Sequence, residues 1–150
     1  LARSVTEEIS SMTKDGQEIQ LNCCPGVDSC TLGEINGLDP QLIRNILFNL
    51  LSNAVKYSKE DTVISLTIQI GENLIITVQD QGIGIPLAEQ QHLFERFFRA
   101  KNATHIQGTG LGLNIVKKHV DLMSGTIDFS SKLEAGTTFI ITLPLEVTTQ

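Results

Sequence analysis

The feature that most constrains the fold is the run 42–57, LIRNILFNLLSNAVKY, because it is apolar on almost every side. A run of this length and pattern predicts a helix that is buried nearly all round. Asp39 and Pro40 stand directly before it and suit a helix cap and a first-turn residue. The rest of the chain is therefore expected to be organised around this helix.

Three asparagines interrupt the apolar run at a helical spacing. Asn45, Asn49 and Asn53 recur at every fourth position, and Lys56 follows about one turn later. These positions fall on one face of a helix. A buried amide without a partner costs about 1–3 kcal/mol, so its presence needs a reason. The stripe indicates a lining for a polar, anionic group; the alternative is a set of core asparagines with satisfied hydrogen bonds.

Length and composition favour one soluble domain, residues 1–150. The sequence starts without Met and opens directly into a helical pattern, so it is expected to be part of a longer chain. No apolar stretch approaches the roughly 18 residues of a membrane span. The net charge of −6 argues against a nucleic-acid partner and against direct contact with an anionic membrane.

Cys23, Cys24 and Cys30 match neither a zinc motif nor a disulfide framework, so reduced thiols and a cytoplasmic location are expected. Whether the parent protein is anchored in a membrane stays open.

Hydrophobic periodicity predicts the order of the elements. Helices are expected at 2–12, 42–57 and 113–123, with one or two short helices within 87–98; strands are expected at 19–23, 62–70, 73–80, 126–131 and 137–143, and a brief one within 30–34. The sequence therefore predicts an α+β fold, a two-layer α/β sandwich in which a mixed sheet of about five strands packs against about three helices.

An aspartate ends the second central strand, on the same face as three aliphatic residues. By the two-residue period of a strand, Asp80 shares the face of Leu74, Ile76 and Val78. A half-buried carboxylate needs a hydrogen-bond donor or a shifted pKa. The next six residues, 81–86, read QGIGIP, and their glycines permit a close approach of a ligand to the backbone.

A second glycine-rich segment, 108–112 (GTGLG), leads into the helix 113–123. Free N–H groups and the helix dipole favour an anion at such a position. The segment is neither a Rossmann fingerprint nor a P-loop, since it lacks the preceding strand of the first and the Gly-Lys-Ser/Thr of the second.

Four blocks, taken together and in order, carry a resemblance over essentially the whole chain. They are 49–58 (NLLSNAVKYS), 80–86 (DQGIGIP), 93–99 (LFERFFR) and 108–113 (GTGLGL), with a closing GTTF at 136–139. This pattern resembles the catalytic and ATP-binding domain of the sensor histidine kinases of two-component signalling, within the GHKL superfamily. The resemblance implies the Bergerat-type ATP-binding fold, with ATP or ADP and Mg²⁺ as its ligands.

The resemblance also implies roles for individual residues. Asp80 would accept a hydrogen bond from the adenine amino group, Asn53 would bind Mg²⁺, and Asn49 would hold a metal-bound water or a phosphate oxygen. Thr137 would complete the adenine site, with Thr138 as the alternative. The implied nucleotide-binding set is Asn49, Asn53, Lys56, Tyr57, Asp80, Gly82, Gly84, Ile85, Phe97, Gly108, Thr109, Gly110, Leu111, Gly112, Leu113 and Thr137.

Three cations, Arg96, Arg99 and Lys101, are expected with Asn49 to form the catalytic set that faces the γ-phosphate; the alternative for the cations is ordinary solvated surface. The polar segment 99–107, which contains Arg99 and Lys101 and precedes the second glycine motif, has no helical or strand period. It is therefore expected to act as a lid that the γ-phosphate orders.

A histidine kinase domain of this type is expected to be inactive alone. Its implied partners are its own dimerisation and phosphoacceptor domain, N-terminal to this chain, and a response regulator downstream. ATP-hydrolysing relatives such as gyrase carry a glutamate one turn before the magnesium asparagine; here Asn49 stands there, and an amide is no general base at neutral pH. Two alternatives stay open: a nucleotide-switched binding module without transfer, and a serine kinase of the anti-sigma type. The block 94–99 favours the histidine kinase.

Overall fold

A computed structural model describes residues 2–23, 38–96, 98–100 and 112–145. The elements are α1 (Ala2–Ser10), β1 (Glu18–Cys23), α2 (Pro40–Tyr57), β2 (Val63–Ile70), β3 (Asn73–Gln79), a 3₁₀ helix (Leu87–His92), α3 (Gly112–Leu122), β4 (Thr126–Lys132) and β5 (Gly136–Pro144). The ends of the α-helices and strands lie within two residues of the predicted ones. The brief strand expected within 30–34 lies outside the described residues.

The five strands form one mixed sheet in the order β1-β2-β3-β5-β4. β1 runs parallel to β2, and the other three pairings are antiparallel. With three α-helices and one 3₁₀ helix among the described residues, the predicted α+β fold is confirmed. Because β3 and β5 are neighbours, the end of β3, where Asp80 follows, lies beside the start of β5.

The predicted central helix is α2, and it is buried as expected. Asp39 caps it by accepting a hydrogen bond from the backbone N–H of Gln41 at 2.9 Å. Its buried side chains are mainly aliphatic and form one core with the inward faces of the strands and with α1. Each such side chain contributes about 1.5–3 kcal/mol when it leaves water. The core fixes the position of the asparagine stripe relative to the sheet.

Side chains from the turn after α1 hold the C-terminal end of α2. Lys14 Nζ donates to the carbonyl oxygens of Lys56 at 2.9 Å and Ser58 at 2.6 Å. Gln17 Nε2 donates to the carbonyl oxygen of Ser58 at 3.1 Å and to two other carbonyls of the same turn. These bonds satisfy carbonyls that a helix end leaves without partners, and the lysine charge suits the negative end of the helix dipole.

The short helix predicted within 87–98 is present as the 3₁₀ helix Leu87–His92, which Pro86 precedes. One expectation is corrected by the structure. The expectation of reduced thiols is wrong at Cys23, which is disulfide-bonded. Of the helices within the described ranges, none combines the length and apolar character that a membrane crossing requires.

Candidate functional site

A cleft of about 170 Å³ lies between the second half of α2, the end of β3, the start of β5 and the first turn of α3. It is lined by eleven of the predicted site residues, namely Asn49, Asn53, Lys56, Tyr57, Asp80, Gly84, Ile85, Arg99, Gly112, Leu113 and Thr137. The fold thus brings parts of all four sequence blocks, and of the closing GTTF, to one place. Six further predicted residues, Phe97, Lys101, Gly108, Thr109, Gly110 and Leu111, lie outside the described residues.

Asp80 is half-buried at one end of the cleft. Its Oδ1 accepts hydrogen bonds from the backbone N–H groups of Gly82 at 2.9 Å and Thr137 at 3.0 Å. Burial raises the pKa of this carboxyl, and the two backbone hydrogen bonds oppose the rise. No described residue donates to Oδ2. The carboxylate therefore presents an acceptor to the cleft for a donor that a ligand can supply.

Two glycines let the loop after Asp80 pass close to other backbone. A side chain at Gly82 would place its Cβ 2.5 Å from the carbonyl oxygen of Tyr57, which accepts a hydrogen bond from Ile83 N at 3.1 Å. Gly84 has a φ of +72°, and a Cβ there would lie 2.2 Å from the Lys132 carbonyl oxygen. The glycines thus allow close packing of backbone against backbone, whereas the close approach of a ligand stays a prediction; Gly84 lines the cleft and Gly82 does not.

The asparagine stripe meets the first turn of α3. A Cβ at Gly112 would lie 3.2 Å from Asn49 Oδ1 and 3.6 Å from Asn53 Nδ2. Asn49 Nδ2 donates to the backbone oxygen of Asn45 at 2.8 Å, which fixes the orientation of its amide. Asn45 does not line the cleft. Two of the three amides therefore face the positive end of a helix dipole, where an anion is favoured.

The donor set at this end fits a magnesium ion better than a softer metal. Within the described ranges, no group of three or more His, Cys, Asp or Glu side chains comes together. Amide oxygens of Asn49 and Asn53 remain as neutral oxygen donors at the cleft. Mg²⁺ accepts a site with few protein ligands when ligand phosphates and waters complete its shell. The described residues around the cleft offer no closed protein cage for a metal.

The predicted cations differ in position. Lys56 is exposed at the cleft, and Arg99 also lines it, beside Phe98 and Ala100. Arg96 is exposed and outside the lining, so its contact with a ligand stays a prediction. Asn114 Nδ2 donates to the backbone oxygen of Phe94 at 3.0 Å and ties α3 to the segment that carries these arginines.

Ser131 and Gln90 were not predicted; they do not line the cleft, but they bond to residues that do. Ser131 Oγ accepts from the backbone N–H of Ile85 at 2.8 Å and lies 2.7 Å from Thr137 Oγ1. Gln90 Nε2 donates to the backbone oxygens of Ile85 at 3.0 Å and Ser131 at 3.2 Å. The sequence gives one sign of Ser131: it is a polar residue on the inward face of β4, two positions after Phe129 and four after Ile127.

Comparison with known proteins agrees with this arrangement. The profile of the family described as histidine kinase-, DNA gyrase B- and HSP90-like ATPases matches residues 38–147. Sensor protein RprX of Bacteroides fragilis is 41% identical over 112 residues, which cover 71% of this chain and 22% of RprX. The circadian input-output histidine kinase CikA of Synechococcus elongatus is 33% identical over 147 residues, which cover 96% of this chain and 20% of CikA. The chain thus spans less than a quarter of either relative.

Solved structures of histidine kinases share the whole fold. The mycobacterial sensor histidine kinase MprB superposes with a TM-score of 0.78 at 27% identity, covering 96% of this chain and 93% of the MprB chain. Full-length ShkA, solved in complex with AMPPNP, gives 0.76 at 26% identity, covering 99% of this chain and 30% of ShkA. By its sequence, its fold and the residues around its cleft, the chain belongs to the histidine kinase-, DNA gyrase B- and HSP90-like ATPase family, as a catalytic domain of the sensor histidine kinase type.

Proposed function

We propose that this chain binds Mg-ATP in the cleft and donates the γ-phosphate to a histidine on a separate dimerisation helix, as a step in two-component signal transduction. The observation that carries the proposal is the half-buried Asp80 carboxylate at one end of the cleft, with paired amides and a helix N-terminus also at its wall. A nucleotide has the matching asymmetry: hydrogen-bond donors on the base and negative charge on the phosphates.

The end of the cleft at Asp80 suits adenine. Asp80 Oδ2 accepts a hydrogen bond from the exocyclic amino group, while Oδ1 stays bound to two backbone N–H groups. Apolar side chains at this end, among them Ile83, Ile85 and Phe139, offer surface to the faces of a flat ring. The AMPPNP complex of ShkA, a structural neighbour, supports an adenine nucleotide as the ligand class.

The end of the cleft at α3 suits the phosphates. The first turn of α3 at Gly112 places backbone N–H groups toward negative charge, and Lys56 adds a cation at the rim. Asn53, with Asn49 one turn before it, holds Mg²⁺ through amide oxygen together with the phosphate oxygens. When bound, Mg²⁺ neutralises charge on the transferred phosphoryl group.

The chain positions ATP and leaves its hydrolysis slow. Asn49 stands at the cleft, and an amide does not activate water as a carboxylate does at neutral pH. Transfer therefore depends on an acceptor nitrogen that another domain brings into line with the γ-phosphorus. Its own dimerisation and phosphoacceptor domain, followed by a response regulator, are the proposed partners.

A labelling experiment tests this function. The chain is mixed with the separately produced dimerisation helices of its parent protein and γ-labelled ATP. We expect acid-labile label, typical of phosphohistidine, on the helices, and much less label at the same limiting ATP concentration when Asp80→Asn replaces the wild-type chain. Acid-stable label on serine would support the anti-sigma type instead. ATP binding that changes the affinity for the helices, without any transfer, would support a nucleotide-switched binding module.

A further inference from the structure

We propose that Lys14 and Gln17 are positioning residues for nucleotide binding: they hold the last turn of α2, and with it Lys56 and Tyr57, in the arrangement that binds the ligand. Neither Lys14 nor Gln17 lines the cleft, whereas Lys56 and Tyr57 do. The inference rests on the proposed function, because it concerns how tightly that cleft holds a nucleotide. It makes nucleotide affinity depend on the turn 14–17, which follows α1 and contributes no residue to the lining.

The two side chains bond to four backbone carbonyl oxygens at the end of α2. Lys14 Nζ donates to two of them, at 2.9 and 2.6 Å. Gln17 Nε2 donates to three, at 3.1–3.2 Å, and shares one acceptor with Lys14. The oxygens belong to Val55, Lys56, Ser58 and Lys59.

The turn 14–17 is itself held in one conformation. Gln17 is buried, and its Oε1 accepts from the backbone N–H of Lys14 at 2.8 Å. The backbone N–H of Gln17 donates to the Lys14 carbonyl oxygen at 3.0 Å, and that of Asp61 donates to the Asp15 carbonyl oxygen at 3.1 Å. The turn is thus bonded both to the end of α2 and to the loop that follows it.

The carbonyl of Tyr57 connects the same helix end to the loop after Asp80. Its oxygen accepts from the backbone N–H of Ile83 at 3.1 Å, and a Cβ at Gly82 would lie 2.5 Å from it. Neighbouring carbonyls of one turn therefore bond to different parts of the chain. Those on either side of Tyr57 bond to Lys14, and that of Tyr57 bonds to the loop at the cleft.

Loss of the bonds from the turn 14–17 would loosen the cleft wall. The last carbonyls of a helix have no partner within the helix, and helix ends fray. Fraying at this end would displace Lys56, Tyr57 and the loop that bonds to the Tyr57 carbonyl. A ligand that binds only the ordered arrangement loses apparent affinity in proportion to the fraction that stays ordered. By linkage, the bound nucleotide must in turn stabilise the turn 14–17.

The first test compares ADP affinity among exposed variants by calorimetric titration of the 150-residue chain. Lys14 is exposed, so Lys14→Met removes its donors without opening the core. We expect Lys14→Met to bind ADP about two- to thirtyfold more weakly than the wild type, and Lys14→Arg, which keeps donors and charge, to retain most of the affinity. Arg3→Met, at an exposed position of α1, makes the same change in net charge and should bind as the wild type.

The second test measures the reciprocal effect by amide hydrogen exchange of the wild-type chain with and without Mg-ADP. The backbone N–H groups of Gln17 and Asp61, which bond within and to the turn, should exchange more slowly when the nucleotide is bound. The backbone N–H of Gly71, which donates to the Asn73 carbonyl oxygen at 3.1 Å, should change little. In Lys14→Met the slowing at Gln17 should be smaller than in the wild type.

The outcomes separate this inference from the proposed function. Wild-type ADP affinity in a folded Lys14→Met variant, even one that melts at a lower temperature, would show that the turn has only a structural role; the cleft would remain the nucleotide site. An equal loss in Lys14→Met and Arg3→Met would reduce the effect to net charge and overturn the inference. If the wild-type chain did not bind ADP, the proposed function would fail and this inference with it.

Discussion

We expect nucleotide binding to depend on Asp80 more than on any other side chain, because Asp80 is the only acidic residue among the described residues that line the cleft, and burial raises its pKa. In Asp80→Asn, Oδ1 can still accept from the same two backbone N–H groups, but the amide presents a donor where the base needs an acceptor. We expect ADP affinity to fall about ten- to a hundredfold. Calorimetric titration of both proteins measures this, and an unchanged dissociation constant would contradict the assignment.

The raised pKa of Asp80 has a defined effect on stability. The folded state binds this proton more tightly than the unfolded chain, so the contribution of Asp80 to stability is greatest at low pH. It decreases as the pH rises from the ordinary value of 3.8 through the raised pKa. The variant Asp80→Asn lacks this decrease, because an amide does not titrate. We therefore expect the melting temperature of the variant near about pH 7 to equal or exceed that of the wild type. A large drop in melting temperature at this pH would show that the ionised carboxylate stabilises the fold.

Asn53 should act on the metal and not on the base. We expect Asn53→Ala to remove most of the gain in ADP affinity that Mg²⁺ gives, while affinity in the presence of a chelator stays nearly unchanged. Asn45→Ala is the matched control, because Asn45 lies on the same helix face but does not line the cleft. Equal losses with and without Mg²⁺ would mean that Asn53 has a structural role.

Among the elements, the loop after β3 depends on close backbone contact with the end of α2. Gly82→Ala would place a Cβ 2.5 Å from the Tyr57 carbonyl oxygen, whereas at Gly71 no atom lies within 4 Å. We expect Gly82→Ala to destabilise the fold by about 1–3 kcal/mol and to weaken ADP binding more than tenfold. Gly71→Ala should change stability by less than about 0.5 kcal/mol. Denaturant unfolding and ADP titration compare the two, and equal behaviour would refute the steric argument.

The long periodic elements were predictable because their burial is regular. α2 and the strands follow the periods of 3.6 and 2 that their packing requires, so their ends were predicted to within two residues. The region after Pro86 was harder, since a 3₁₀ helix of six residues leaves little periodic signal. Asp80 stood out because a charge follows three aliphatic residues on one face of β3. Ser131 did not, because serine is common in exposed strands and two of its partners, Ile85 and Gln90, are more than 40 residues away in the sequence.

At the scale of the whole molecule, the fold brings the ends of several elements together into one ligand site. The turn that follows α1 also contributes, since Lys14 and Gln17 bond to the last carbonyls of α2, next to Tyr57.

A ligand that binds the folded state and not the unfolded chain stabilises the fold by about 2.7 kcal/mol at a hundredfold excess over its dissociation constant. For a domain of this size we therefore expect saturating Mg-ADP to raise the melting temperature by about 5–10 °C. Mg-GDP at the same concentration should raise it less, and equal shifts would argue against a base-specific site.

The most direct test of the account is an amide NMR titration of the ¹⁵N-labelled chain with Mg-ADP. We predict that the largest shifts fall on the backbone amides at both ends of the cleft, those of Gly82, Gly84 and Thr137 beside the base and of Gly112 beside the phosphates. The amides of β1 and of the exposed turn at Gly71 should hardly move. Saturable shifts confined to another surface, or no shifts at millimolar Mg-ADP, would contradict the claim that this cleft is the nucleotide site.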